Sequence, residues 1–223
     1  MNKNILWLLG ILVSLSAGFT SCSEDTQTAD PYSDWAVRND AYIDSIASVC
    51  ANPPAGEHWE KVLNYKLQSD ASEDLGYQDY TPGKNDYVYM KLFPEDNIEP
   101  LGISPMSTDT VSVHYRGKLI NGTVFDESFS GEWNGMVNEP RSFAASGVIT
   151  GWTTALLKMK EGQHVELYIP NGMGYGSVER DVIPAYSTLI FDLRLEKVIH
   201  PKGPDDRSRK MKQECKYSAN YRY

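Results

Sequence analysis

The apolar residues fall into short runs whose spacing predicts the elements. From about Asp34 to Ala51, Trp35, Tyr42, Ile46 and Val49 recur at intervals of seven, four and three, one stripe of an amphipathic helix. Asn52-Pro53-Pro54 stops it. Trp59 to Leu67 alternates instead, with Trp59, Leu63, Tyr65 and Leu67 on one side, and reads as a strand. After a polar loop to Asn85, Tyr87 to Phe93 is a second strand, rich in aromatic and apolar residues. Thr110 to Ile120 is a third, and Asn121-Gly122 signals a tight hairpin turn into Thr123-Val124-Phe125. Residues 127–142 read as loop. A short helix is predicted from about Trp152 to Lys160, with Trp152, Leu156 and Met159 on one face and Gly162 placed to cap it. Strands over His164 to Ile169 and Thr188 to Val198 complete the set, and there is no internal repeat. The expected fold is α+β: a twisted antiparallel sheet crossed by one short helix, with an N-terminal helical extension.

Residues 1–22 do not belong to this pattern. Lys3 supplies a positive start, and Ile5 to Leu15 is an apolar run shorter than the roughly 20 residues a bilayer span requires. It suits the hydrophobic core of an export signal, and it ends at Phe19-Thr20-Ser21-Cys22. This resembles the lipobox of bacterial lipoproteins, in which the cysteine is acylated and becomes the mature N-terminus. Phe19 stands where leucine is usual, and an ordinary secretory signal is the rival reading. Ser23-Glu24-Asp25 after the cysteine resembles the sorting signal of some Bacteroidetes lipoproteins. The expected location is therefore the outer membrane, facing either the periplasm or the cell surface, with a flexible polar tether after Cys22.

Charge narrows the partners. The chain carries 21 basic and 30 acidic residues, a formal charge of −9. Between His200 and Tyr223 there are seven Lys/Arg against three Asp/Glu, so the body before this tail is strongly acidic. It offers no broad phosphate-binding face, which argues against nucleic acid. With Cys22 acylated, Cys50 and Cys215 are left either to pair in an oxidising compartment or to stand as unpaired structural cysteines. His58, His114, His164 and His200 show no ligand spacing, so neither metal nor cofactor is expected. Gly172-Met-Gly174-Tyr-Gly176 precedes no helix and fails as a phosphate cradle. Asn121-Gly-Thr123 matches a glycosylation sequon but reads first as a turn.

Three blocks carry specific chemistry: VHYRGKLINGTVFDES (Val113 to Ser128), VITGWTTALLKMKEGQHVELYIPNGMGYGS (Val148 to Ser177) and IPAYSTLIFDLRLEKV (Ile183 to Val198). Together, over about Tyr87 to Val198, the chain resembles FKBP-type peptidyl-prolyl cis–trans isomerases (rotamases). The resemblance implies a sheet wrapped around one short helix, with an apolar pocket between them. Joined to the readings above, it gives a signal (1–21), a tether with amphipathic helix (22–55), an isomerase domain (56–200, the resemblance itself covering 87–198) and a basic tail (201–223).

Carried over by motif, the pocket holds Tyr115, Phe125 with Asp126, Val148, Ile149, Trp152 as its floor, Tyr175, Ile183 and Phe191. Asp126, Tyr175, Phe125 and Trp152 are the expected catalytic set. The Ile149 N–H and the Tyr175 hydroxyl would hold substrate carbonyls. Proline-containing polypeptides are the implied substrates, and the family's macrolides the implied inhibitors. On residue type alone, Phe125, Trp152 and Phe191 are ordinary core and Asp126 a turn starter. Some positions depart from the family pattern. Arg141 stands where an aromatic is common, two places before Phe143; residues 127–142 form a longer segment containing Trp133; Ala185 replaces a proline, beside Tyr186 at the pocket rim. Only six residues separate Gly176 from Ile183, so no chaperone domain is inserted there. The alternative is an FKBP-fold module that binds polypeptide as a chaperone and turns over slowly, and Arg141 is the departure that favours it.

Overall fold

The computed structural model describes residues 30–68, 80–98 and 101–201. The export signal, Cys22, most of the tether, and the basic tail with Cys215 lie outside them. Of two compact units, 1–33 and 34–223, the second holds every described helix and strand. In the first, residues 30–33 make one turn closed by the Ser33 N–H on the Asp30 carbonyl. Among the described residues no helix is long and apolar enough to cross a membrane.

Among the described residues seven antiparallel strands form one sheet: β1 (His58–Leu63), β2 (Tyr87–Leu92), β3 (Thr110–Lys118), β4 (Val124–Glu127), β5 (Arg141–Ala144), β6 (His164–Ile169) and β7 (Leu189–Ile199). Their order is β1-β2-β6-β7-β3-β4, with β5 also paired to β3. The two short strands share one edge of β3. β4 pairs with Arg116 to Lys118, and β5 with Thr110 to Val113.

Alternation along β7 sorts the two faces. Leu189, Phe191, Leu193 and Leu195 point into the main core, while Ile190 joins the opposite layer. Helix α2 (Thr150–Leu156) fills the main-core side and is buried from Gly151 to Leu156. Such depth needs Gly151, because a Cβ there would lie 2.4 Å from Ile169 Cγ2. Helix α1 (Trp35–Ala51) covers the opposite face, where Ile43 and Ile46 pack with Tyr89, Tyr168 and Ile190. Each such fully buried aliphatic side chain contributes about 1.5–3 kcal/mol.

Several expectations shift. The buried stripe of α1 is Trp35, Asn39, Ile43 and Ile46, with Tyr42 and Val49 at its margin. A polar residue takes a stripe position because it finds hydrogen bonds there. The first strand ends at Leu63 rather than Leu67: the Asn64 side chain accepts the Lys66 N–H at 3.1 Å and turns Tyr65–Leu67 into a 3-10 turn. The helix of the main core spans 150–156, not 152–160, and Gly162 does not cap it. Gly162 sits in the following turn at φ +92°, donating its N–H to the Leu195 carbonyl at 2.7 Å. Finally, β5 lies at the end of a segment read as loop, and four residues are too few for a periodic signal.

Candidate active site

Strand β3 lays down the first wall. Tyr115 is buried on it, its N–H donating to Ser128 Oγ at 2.8 Å while the Ser128 N–H returns to the Tyr115 carbonyl at 2.8 Å. Opposite, Gly117 pairs with Asp126 and Lys118 with Val124, so Phe125 is an extra residue bulged out of β4. A bulge breaks the alternation of faces, which lets the neighbours Phe125 and Asp126 both line one cleft. Gly117 makes room for this: a Cβ there would meet Phe125 Cζ at 2.5 Å and Phe191 Cε1 at 2.7 Å.

Trp152, from the first turn of α2, forms the floor at 4% exposure. Three rings stand edge-on to it: Tyr115 at 5.1 Å between centroids, Phe191 at 5.1 Å and Phe143 at 5.8 Å. Phe125 meets Phe191 at 5.4 Å and 89°. These near-perpendicular arrangements set ring edges against ring faces, as aromatic quadrupoles favour. They enclose an open cleft of about 710 Å³. Val148, Ile149, Tyr175 and Ile183 complete its apolar lining. All nine residues named from the sequence blocks thus lie on one wall system.

Two polar groups at the cleft are unengaged. Among the described residues neither the Ile149 N–H nor the Tyr175 hydroxyl has a hydrogen-bond partner. The third polar feature is fully engaged. The Tyr115 hydroxyl donates to Asp126 Oδ2 at 2.6 Å, and Arg141 Nη1 donates to the Tyr115 oxygen at 2.9 Å and to Asp126 Oδ1 at 3.2 Å. Burial first, and then the bond to Asp126, push the Tyr115 hydroxyl up to about 12. A raised value favours the protonated form in the fold. Its stabilising contribution is therefore complete below tyrosine's usual 10 and is lost as pH rises through about 12. Tyr115 keeps its donor role throughout the neutral range.

Sequence reasoning left Phe143, Arg180 and Asp181 out of the lining. Phe143 belongs to the short strand β5, which had no periodic signal. Arg180 and Asp181 come from the loop before β7, with the Arg180 guanidinium 5.3 Å over the Tyr175 ring. Arg141, a departure in sequence, is placed by β5 beside Asp126. The longer segment sends Trp133 to the other face of the sheet, under the Arg194 guanidinium at 4.1 Å and edge-on to His114. No histidine lines the cleft among the described residues; His164 sits between Asp96 at 3.0 Å and Asp192 at 3.1 Å.

The family model described as FKBP-type peptidyl-prolyl cis-trans isomerase matches residues 102–196. The chain is 36% identical over 139 residues to the FKBP-type isomerase FkpA of Escherichia coli K12, covering 62% of this chain and 43% of that protein. It is 45% identical over 101 residues to the FKBP-type 22 kDa isomerase of the same organism, covering 44% of this chain and 45% of that one. To FkpA of Buchnera aphidicola subsp. Schizaphis graminum it is 31% identical over 189 residues, covering 84% and 66%. The chain thus spans under half the length of the two E. coli relatives. Residues 102–196, which supply every wall of the cleft from Tyr115 to Phe191, belong to the FKBP-type peptidyl-prolyl cis-trans isomerase family.

Proposed function

We propose that the cleft catalyses rotation about X-Pro bonds in exported polypeptides and so assists their folding. The observation that carries this is the aromatic cup over Trp152 with two unengaged polar groups at its wall. Rotation needs no nucleophile. Its barrier, about 18–20 kcal/mol, comes from amide resonance, and the two isomers differ by only about 0.5–1 kcal/mol. A catalyst has only to favour the twisted amide. The cup accepts the proline ring and strips water from the planar amide, whose resonance-enhanced dipole suffers most from that loss. The Ile149 N–H and Tyr175 hydroxyl hold carbonyls of the bound chain, fixing it as the bond turns. Asp126, oriented by Tyr115 and Arg141, sets the field at the cup's edge. The family's macrolides are read as ligands of the same cup.

A second reading has one observation in its favour. Arg141 already occupies Asp126 and the Tyr115 oxygen, which suits a slow binding module better than a rapid catalyst. A protease-coupled or NMR exchange assay on an Ala-Xaa-Pro-Phe series, with protein retaining residues 34–201, separates the two. Well-folded wild type with no rate above the spontaneous background rejects catalysis. Tyr175→Phe removes one hydrogen bond of about 0.5–1.5 kcal/mol, so kcat/KM should fall roughly 2- to 10-fold with little change in melting temperature. Unchanged turnover would reduce Tyr175 to a wall.

We also read Cys22 as a lipid-bearing N-terminus and the outer membrane as the protein's location. Several acyl chains convert marginal membrane binding into stable anchoring. Cys22→Ser should move the protein from the membrane to the soluble fraction, and protease added to intact cells should digest wild type only if it faces outward. Wild type that fractionates as soluble and carries no lipid mass would refute the anchor.

A further inference from the structure

We infer that helix α1, which lies outside the family match, is a strut of the cleft, in which Trp35 and Asn39 are positioning residues for the loop carrying Ile183. The inference rests on the isomerase reading, since it assigns those residues an effect on substrate binding.

The loop between Gly176 and Thr188 is a self-closed excursion. The Tyr186 N–H donates to the Gly176 carbonyl at 2.7 Å across its base, and Arg180 and Ile183 exchange backbone hydrogen bonds at 2.9 and 2.7 Å near its tip. It presents Arg180, Asp181 and Ile183 to the cleft. Two of its residues take the left-handed backbone that side chains disfavour, Asp181 at φ +48° and Tyr186 at φ +63°. Such conformations persist only where the surroundings hold them.

What holds the C-terminal end of this loop is α1. Trp35 Nε1 donates to Ser187 Oγ at 2.9 Å, and Ser187 Oγ donates onward to the Pro184 carbonyl at 2.6 Å, one residue from Ile183. Asn39 Oδ1 accepts the Thr188 N–H at 2.7 Å, and the Asn39 carbonyl accepts the Thr188 hydroxyl at 3.4 Å. Asn39 Nδ2 donates back to the Trp35 carbonyl at 2.7 Å, which fixes the amide's orientation. The whole set is dry: Asn39 and Thr188 are each 1% exposed, Ser187 3% and Trp35 6%. A buried asparagine on an otherwise apolar stripe is costly unless satisfied, and here Oδ1 accepts the loop's Thr188 N–H while Nδ2 donates to the Trp35 carbonyl. The loop thus enters β7 in one geometry, and Ile183 stands where it closes the cup.

The test uses the full mature chain with three variants. Trp35→Phe keeps an aromatic ring, gives up some buried area and removes the donor to Ser187. Asn39→Leu leaves the Thr188 N–H without its acceptor. Asp44→Ala is the control: Asp44 lies on α1, and the change breaks its 2.7 Å pair with Lys84 but touches nothing in the loop. Hydrogen exchange at Thr188 and Tyr186 should quicken at least about tenfold in Asn39→Leu and several-fold in Trp35→Phe. KM for a prolyl peptide should rise about threefold or more while kcat stays within about twofold; Asp44→Ala should move neither. If Asn39→Leu does not fold, Trp35→Phe decides alone. Folded variants with lower melting temperature but unchanged KM and loop exchange would make α1 mere packing and overturn the inference. Wild type lacking isomerase activity would instead sink the catalytic reading, and the exchange measurements would still report on the strut.

Discussion

Trp152→Ala should lower the proposed isomerase activity by about 100-fold or more and stability by about 3–5 kcal/mol together. The ring is the meeting point of Tyr115, Phe143 and Phe191, all with centroids within 6 Å. Alanine would leave a hole beneath the proposed proline site, and the three rings would lose the surface that orients them. The large stability loss makes this variant ambiguous by itself, so Trp152→Phe is its partner. The indole Nε1 is buried without a hydrogen-bond partner among the described residues. Phenylalanine removes that unsatisfied donor along with some area, and the two effects oppose each other. Trp152→Phe should therefore cost under about 1.5 kcal/mol and retain measurable turnover. Chemical denaturation and kcat/KM on the same samples check both. A Trp152→Ala protein that stays folded and keeps wild-type turnover would show that the cup is not where the proline sits.

The second large effect is expected at a residue with no side chain. Gly117→Ala should lower stability by about 1–3 kcal/mol and weaken peptide binding, although the new methyl touches no substrate. A Cβ at Gly117 would lie 2.5 and 2.6 Å from Phe125 ring atoms and 2.7 Å from Phe191 Cε1. Phe125 is half-buried and can swing toward solvent, opening one wall. Phe191 is 4% exposed and edge-on to Trp152, so it can yield only by disturbing the floor. The strain thus falls on the cup itself, and KM should rise more than kcat falls. Wild-type kinetics in a folded Gly117→Ala protein would mean that the rings relax without consequence.

The contrast between strands β3 and β5 shows what could be read in advance. Nine residues of alternating pattern in Thr110–Lys118, ended by Asn121-Gly122, mark a strand and its turn from local rules alone. Arg141–Ala144 is too short for any period, and its pairing with β3 joins residues about 30 positions apart. Phe143 and Arg141 therefore entered the site only through the fold. The segment 127–142 likewise carried no sign of direction, and Trp133 proved to face away from the cleft because it stacks on Arg194.

Helix α1 divides the same way. Its existence and length follow from periodicity and the Asn52-Pro53-Pro54 stop. Which face it buries does not, since Asn39 outranks Val49 only once the Thr188 N–H stands 2.7 Å away. By itself the sequence determined the α+β class, the family of residues 102–196 and the aromatic identity of the cup, because these rest on residue type and local order. Tertiary structure alone decided that a bulge turns Phe125 and Asp126 to one side, that Arg141 closes on Tyr115 and Asp126, and that a helix before the matched domain braces the loop of Ile183. Each of these depends on a few ångströms between residues distant in sequence, a length that propensity and periodicity do not encode.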